Sequence, residues 1–349
     1  MKTTEFITLK DIASMKVKPA ERFFSATGPE IEKGLTSDIY FVRTRDLLDS
    51  MGFGETEVTA EVFSSRDGIL AGVDESLYLL RNRKLEIWAL PEGEAMEAKE
   101  VVMRIKGRYS DFGIYETPLL GILASSSGWA TAARSCREAV NSHKIICYGA
   151  RHLHPAVAPV MERAAVIGGA DDCSCILGAL LLGRVPVGTV PHAAFLIAGD
   201  TVELAKAYDR FVPEDAPRII LVDTFKDETE EALRVAEALG KRLNGIRLDT
   251  PGERGGVTAG LVRETRARLN QAGFKHVQII VSGGLNPERI TRLTDAGADA
   301  FGVGSYIARA PAIDMTLDLK EVSGKPVAKR GRIPGITDNN RLVKMNWNG

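Results

Sequence analysis

The chain has 349 residues, 44% of them hydrophobic and 26% charged, with a mean hydropathy of -0.05; these are globular values, and the length allows one large domain and a smaller one. Lys and Arg (45) nearly balance Asp and Glu (46), which excludes nucleic-acid binding by bulk charge and leaves room only for a local basic pocket. No apolar run reaches membrane-spanning length and MKTTEFITLK lacks a signal-peptide core, so a cytoplasmic protein that does not engage a membrane is expected.

In chain order, residues 37–50 (SDIYFVRTRDLLDS) read as a helix capped by Ser37 or Asp38. Between 57 and 107 the pattern turns to short strands, EVTAEVFS, SLYLLRNRKLEIWAL and EVVMRIKG, separated by the turn-rich SRDGILAG and PEGEAMEAKE. Residues 116–140 return to helical periodicity, interrupted by SSSG. The second half then alternates apolar runs with amphipathic helices. KIICYGAR leads to PAVAPVMERAAVIGG, and CSCILGALLLG to GTVPHA, read as a strand end. RIILVDT, GIRLDT and HVQIIVSGG each precede a helix, and DAFGVGSYI closes the series. This order predicts an irregular parallel α/β barrel, TIM-like, in preference to a doubly wound open sheet, because a barrel leaves no edge strand. The expected domains are an α+β N-terminal domain, 1–120, completed by the C-terminal segment 310–349, and a barrel catalytic domain, 121–309.

Ligands of such folds bind at the carboxyl ends of the strands, and the polar residues gather there. Tyr148, Arg151 and His152 follow the first expected strand, Asp171 lies near the second, and His192 ends the third. Asp223 ends the fourth, Arg247 and Asp249 the fifth, Ser282, Gly283 and Gly284 the sixth, and Gly302, Gly304 and Ser305 the seventh. One such residue reads equally well as a helix cap; seven consecutive units ending this way do not. The two glycine-rich ends would place backbone N–H groups and a helix N-terminus around one anion, the alternative being two ordinary tight turns. Arginines and histidines mixed with aspartates suit a substrate with both anions and hydroxyls, the aspartates holding a ribose diol or Mg²⁺. His154, followed by Pro155, reads as a helix entry. The four cysteines (Cys136, Cys147, Cys173, Cys175) form no CxxC pair and read as buried reduced thiols.

The ordered set YGARHLHP, IGGADD, GTVPHA, VDTFKD, IRLDT, SGGLNPERI and FGVGS resembles nicotinate phosphoribosyltransferases. TSDIYF and ETPLLGILASSSGWATAA upstream, and DLKEVSGKPVAKRG downstream, extend the resemblance to about residues 30–335. The strand-rich stretch 57–107 is similar to the N-terminal domain of the sister quinolinate phosphoribosyltransferases. The resemblance implies a homodimer with shared active sites, or an oligomer built from such dimers. It implies that nicotinate lies on Tyr148, with Tyr40 contributed by the neighbouring subunit. Arg247, with Arg151 as a second candidate, would hold the nicotinate carboxylate, and His152 and Asp171 fall among the substrate contacts. Asp223 and Asp249 would bind ribose and Mg²⁺, and the glycine turns the 5′-phosphate of phosphoribosyl pyrophosphate (PRPP). His192 matches the histidine that ATP-coupled members phosphorylate, which makes ATP a co-substrate. Some relatives carry a C-terminal cysteine cluster for zinc; no cysteine follows Cys175 here, so no structural zinc is expected. Nicotinamide or quinolinate as the accepted ring, and a non-catalytic nucleotide-binding barrel, remain as alternatives.

Overall fold

The structure is a computed structural model and describes residues 5–18, 21–140 and 142–345. Its backbone divides into two units, one holding the residues up to Thr131 and from Pro311 onward, the other Ala132–Ala310. The division falls inside a helix, eleven residues beyond the expected boundary at 120.

The first unit opens with helices α1 (Leu9–Ser14), α2 (Gly28–Glu32) and α3 (Ile39–Ser50). Asp38 occupies the N-cap of α3 in extended conformation. Strands β1 (Glu57–Ser64) and β2 (Gly68–Ile69) follow, then helix α4 (Val73–Leu80), β3 (Glu86–Ala89), β4 (Ala95–Met96) and β5 (Val101–Arg108). Helices α5 (Tyr109–Phe112) and α6 (Glu116–Glu138) complete this half. Two expectations are corrected here. SLYLL is helical, not extended: Val73, Ser76, Leu77 and Leu80 are buried at the spacing of a helix face, and Asp74 and Glu75 sit in the first turn. SSSG does not interrupt α6. Its small residues let the helix approach its neighbours: Ser127 Oγ accepts the Ala71 N–H at 3.1 Å, and a Cβ on Gly128 would lie 2.4 Å from the Pro311 carbonyl oxygen.

The second unit carries β6 (Lys144–Cys147), α7 (Ala158–Gly168), β7 (Asp172–Cys173), α8 (Ile176–Leu181), α9 (His192–Ala198) and α10 (Thr201–Phe211). Then come β8 (Ile219–Leu221), α11 (Glu228–Leu239), β9 (Gly245–Leu248), α12 (Ala259–Gln271), β10 (Gln278–Val281), α13 (Pro287–Thr294), β11 (Ala300–Val303) and α14 (Ser305–Ala308). The six strands are parallel, in the order β7-β6-β11-β10-β9-β8. Read cyclically, that is chain order from β8 to β11 and on to β6 and β7, an α/β barrel with its seam between β7 and β8. The seam lies where a third strand was expected: GTVPHA forms no ladder, and Val187 donates one backbone hydrogen bond to the Cys173 carbonyl at 3.0 Å. The barrel is therefore irregular, with six strands rather than seven. The chain ends with β12 (Met315–Val322), β13 (Lys325–Pro326) and β14 (Val343–Met345), which join the first unit in an antiparallel sheet ordered β13-β12-β1-β5-β3-β14. Among the described residues no helix is long and apolar enough to cross a membrane.

Candidate active site

The carboxyl ends of β6, β9, β10 and β11 bring Tyr148, Arg247, Asp249, Ser282 and Gly302 together. Tyr148 donates its backbone N–H to the Val303 carbonyl at 2.8 Å, extending the β6–β11 pairing by one residue. Its ring lies on the bare backbone of Gly302, where a Cβ would sit 2.4 Å from Cε2 and 2.5 Å from Cδ2. Glycine at 302 is thus a condition for the ring's position. Burial raises the Tyr148 phenol above its usual pKa, with Arg247 opposing the shift.

Arg247, on β9, has its guanidinium carbon 5.1 Å from the Tyr148 ring centroid. Nε donates to Ser282 Oγ at 2.9 Å, Nη1 to Thr189 Oγ1 at 3.1 Å and Nη2 to Asp249 Oδ2 at 3.1 Å. Three of the five N–H donors of an arginine are so engaged and two remain. Thr189, which comes from the seam, was missed by sequence reasoning: nothing in GTVPHA distinguishes a threonine that aims an arginine from one in a loop.

Gly283 and Gly284 adopt consecutive left-handed conformations, φ 91° and 60°. Arg289 donates to the carbonyls of Gly283 (3.1 Å), Gly284 (2.8 Å) and Val257 (3.2 Å). Because C=O and N–H point opposite ways in a peptide, this turns the N–H groups of Gly284 and Leu285 away from the arginine. No described residue accepts either N–H. On the neighbouring turn, a Cβ at Gly304 would lie 2.8 Å from the Tyr148 carbonyl oxygen and 3.1 Å from His152 Nε2, so the His152 imidazole sits at this second turn, next to Ser305. Burial, and then the charges of Arg309 and Arg151, hold the His152 pKa below its usual value. Arg151 is exposed on the same short turn, Ala150–His152.

At the end of β8, the Asp223 carboxyl is 1% exposed, and His192 Nε2 lies 3.2 Å from its Oδ1. Neither Asp223 oxygen, nor the hydroxyl of Thr224, receives a well-aligned hydrogen bond from the described residues. Burial raises the Asp223 pKa, opposed by His192, and Asp249 is close enough to add to the rise. A buried carboxyl without aligned donors is costly, so Asp223 keeps unused acceptor capacity here, whereas Asp249 accepts from Arg247 Nη2. His154 Nδ1 accepts the Ala156 N–H at 3.1 Å ahead of α7, a contact of the kind a helix entry makes.

The reading of Asp171 is corrected. It precedes β7 and lies at the amino ends of the strands, where its Oδ2 accepts the Ile145 N–H at 2.7 Å and pairs with Arg137 at 2.9 Å. Asp299, ahead of β11, makes the same clip with the Ile279 N–H (2.7 Å) and Arg266 (2.5 Å). Tyr40 belongs to the first unit, where it is 53% exposed and tilts against Phe41 with ring centroids 4.1 Å apart.

Known proteins match along both units. Residues 38–127 match the N-terminal domain of quinolinate phosphoribosyl transferases and residues 129–318 their C-terminal domain. A nicotinate phosphoribosyltransferase of Mycobacterium tuberculosis is 32% identical over 248 residues, 68% of this chain and 54% of that protein. A probable carboxylating nicotinate-nucleotide pyrophosphorylase of Methanothermobacter thermautotrophicus is 25% identical over 83% of this chain and 98% of its own. The chain spans about half the length of the first nicotinate phosphoribosyltransferases it matches. Among solved structures, the nicotinate-nucleotide pyrophosphorylase of Pyrococcus furiosus is similar with a TM-score of 0.86 at 43% identity, covering 94% of this chain and 87% of that one. Human nicotinic acid phosphoribosyltransferase shares the fold, with a TM-score of 0.69 at 19% identity over 86% of this chain and 77% of its own. Matched in both of its domains, the chain belongs to the quinolinate phosphoribosyl transferase family.

Proposed function

We propose that this chain joins nicotinate to the ribose of PRPP, forming nicotinate mononucleotide and pyrophosphate in NAD synthesis. The observation that carries this reading is the Arg247 guanidinium beside Tyr148, aimed by Thr189, Ser282 and Asp249 with two donors left for one carboxylate. A planar fork of that kind suits a carboxylate, and the adjoining aromatic ring suits a pyridine. In the reaction the ring nitrogen's lone pair forms a bond to ribose C1. The C1–O bond to pyrophosphate breaks, its electrons leaving on the pyrophosphate, and no proton moves. Asp223 and Asp249 would oppose the positive charge that develops on the ribose. The free N–H groups after Gly283 would take the 5′-phosphate, with Gly302, Gly304 and Ser305 forming its other wall.

Two acids fit Mg²⁺ arriving with PRPP, since this ion is usually held by one or two carboxylates plus substrate phosphates. Among the described residues no third His, Cys, Asp or Glu joins them in a metal-ligand cluster. Bound there, the ion would neutralise charge on the leaving pyrophosphate. His192 is read as the acceptor of the ATP γ-phosphoryl group: an imidazole nitrogen bonds to phosphorus, ADP leaves, and water later cleaves the P–N bond. Its position against Asp223 supports this, because the same acid then faces both the phosphohistidine and the ribose. A dimer with shared sites is part of the reading. Helix α8 leaves Ile176 (69%), Leu177 (54%), Leu180 (60%) and Leu181 (58%) exposed, an apolar face of the kind that a second copy covers.

A second reading, quinolinate as the ring, is favoured by the family match and by Arg151, Arg309 and His152 lying close together at the Gly304 turn. Those groups could take a second carboxylate. Turnover with PRPP and nicotinate, nicotinamide or quinolinate, following pyrophosphate and CO₂, tests both. Pyrophosphate from nicotinate is expected. CO₂ from quinolinate with no turnover of nicotinate would put the second reading in its place. γ-Labelled ATP should leave an acid-labile label on the wild type and none on His192→Asn; an unlabelled wild type removes ATP from the scheme.

A further inference from the structure

We propose that Glu162 is a positioning residue, a buried latch that holds the ends of β6 and β7 in their ligand-binding conformation; this rests on the reading of Tyr148 as the surface for the pyridine ring. Glu162 lies on α7 and is fully buried. Its Oε1 accepts the Ala150 N–H at 3.0 Å and the Ser174 hydroxyl at 3.1 Å. Its Oε2 accepts the N–H groups of Ser174 at 2.8 Å and Cys175 at 2.5 Å. All four donors are neutral, so backbone dipoles and one hydroxyl hold the carboxylate.

A carboxylate taken out of water is costly unless every lone pair is used, and an apolar residue here would leave buried N–H groups unmet. What the arrangement secures is the geometry of two strand-end turns. One carries Tyr148, Arg151 and His152; the other leads into α8. Ala150 stands two residues after Tyr148, and Glu162 is near enough to that phenol to contribute to its raised pKa. The carboxylate thus ties the start of the Tyr148 turn to the Ser174–Cys175 turn through one side chain. Glutamine is not a substitute: its amide nitrogen is itself a donor and would face N–H groups on one side.

The test uses Glu162→Gln, Glu162→Asp and the milder Ser174→Ala, which removes only the hydroxyl donor. Hydrogen exchange over 148–153 and 173–177, thermal midpoint, and KM and kcat for nicotinate and PRPP are measured on each full-length variant. Glu162→Gln should raise the nicotinate KM at least tenfold with less than a threefold change in PRPP KM, and should speed exchange in both segments. Glu162→Asp should recover part of the loss, and Ser174→Ala should raise nicotinate KM about twofold to fivefold. Unchanged exchange in Glu162→Gln overturns the latch. Faster exchange with both KM values unmoved, or moved equally, overturns the positioning role. Should Glu162→Gln not fold, unchanged nicotinate KM in both other variants overturns it as well. A wild type inert towards nicotinate refutes the proposed substrate instead, and the exchange measurement then decides the latch alone.

Discussion

Replacing Gly302 with alanine puts one methyl group where the Tyr148 ring lies. The added Cβ would stand 2.4 Å from Cε2, whereas carbon atoms in contact rest at about 3.5–4.0 Å, so ring or strand must retreat by more than about 1 Å. The backbone at 302 is not in the left-handed region, so alanine brings no conformational strain and the effect is steric. A displacement of about 1 Å at a reacting group costs on the order of a hundredfold in rate. On the nicotinate reading, Gly302→Ala should therefore lower kcat/KM for nicotinate by about tenfold to a hundredfold, with a thermal midpoint close to wild type. The decisive measurement is the cycle with Tyr148→Ala. Without the ring, the two closest contacts are gone and the nearest remaining one is Ser282 Cβ at 3.2 Å, so the cost should fall below about threefold. Equal losses in the two backgrounds, or full activity in Gly302→Ala, would show that the ring does not lie where substrate needs it.

Three further outcomes are expected. Arg247→Ala should cost nicotinate about tenfold to a hundredfold, the worth of a charge-assisted pair, and nicotinamide much less; equal losses would assign the arginine to pyrophosphate. Arg289→Ala, which frees the Gly283 and Gly284 carbonyls, should raise the PRPP KM about tenfold with nicotinate KM little changed, and Arg289→Lys should restore part of it; equal drift in both would mean that Arg289 serves the fold alone. Glu116 is pushed up to about 7 by burial and by Asp318, against Lys329. The folded state holds this proton more tightly than the unfolded one, so stability falls as pH rises from about 4.5 to about 7. For a half-buried group, solvent screening brings the loss to on the order of 1–2 kcal/mol. Glu116→Gln should remove that fall, so denaturant curves of variant and wild type that run parallel from pH 4.5 to 8 would contradict the shift.

Much of the second unit was legible because apolar runs and helical runs alternate there. KIIC, IIL, GIRL, QIIV and AFGV are all strands, and Arg247 touches Tyr148, Asp249 and Ser282 at their ends, as Asp223 does His192. The first unit was harder. SLYLL is apolar at almost every position and short, so its period separates helix from strand poorly, and neighbouring packing decided it. GTVPHA carries the right residues for a strand end, but its proline lacks a ladder donor and the barrel opens there instead. Thr189 acts on Arg247, far along the chain, for which a single sequence offers no signal, and Arg289 ties its own glycine turn to the distant Val257 carbonyl. Glu162 did offer one, a lone acid in a helix otherwise lined with buried alanine and methionine.

Asp171 shows where residue type alone misleads. Asp223 and Asp249 follow their apolar runs and stand with Arg247 and His192 at the carboxyl ends. Asp171 and Asp299 precede theirs, and each spends one carboxylate oxygen on the second N–H of the neighbouring strand and on an arginine from a helix. In a parallel barrel the two ends have different work: loops at the carboxyl end meet ligands, while the amino end must close strand edges and helix ends on themselves. An aspartate after a β-branched run is thus a candidate for chemistry. One directly before a strand, paired with an arginine on the helix that leads into the neighbouring strand, is a clip. Applied to IGGADD, that order of residues assigns Asp171 to the fold, as Arg137 and the Ile145 N–H bear out, and the same order in AGADA assigns Asp299 with it.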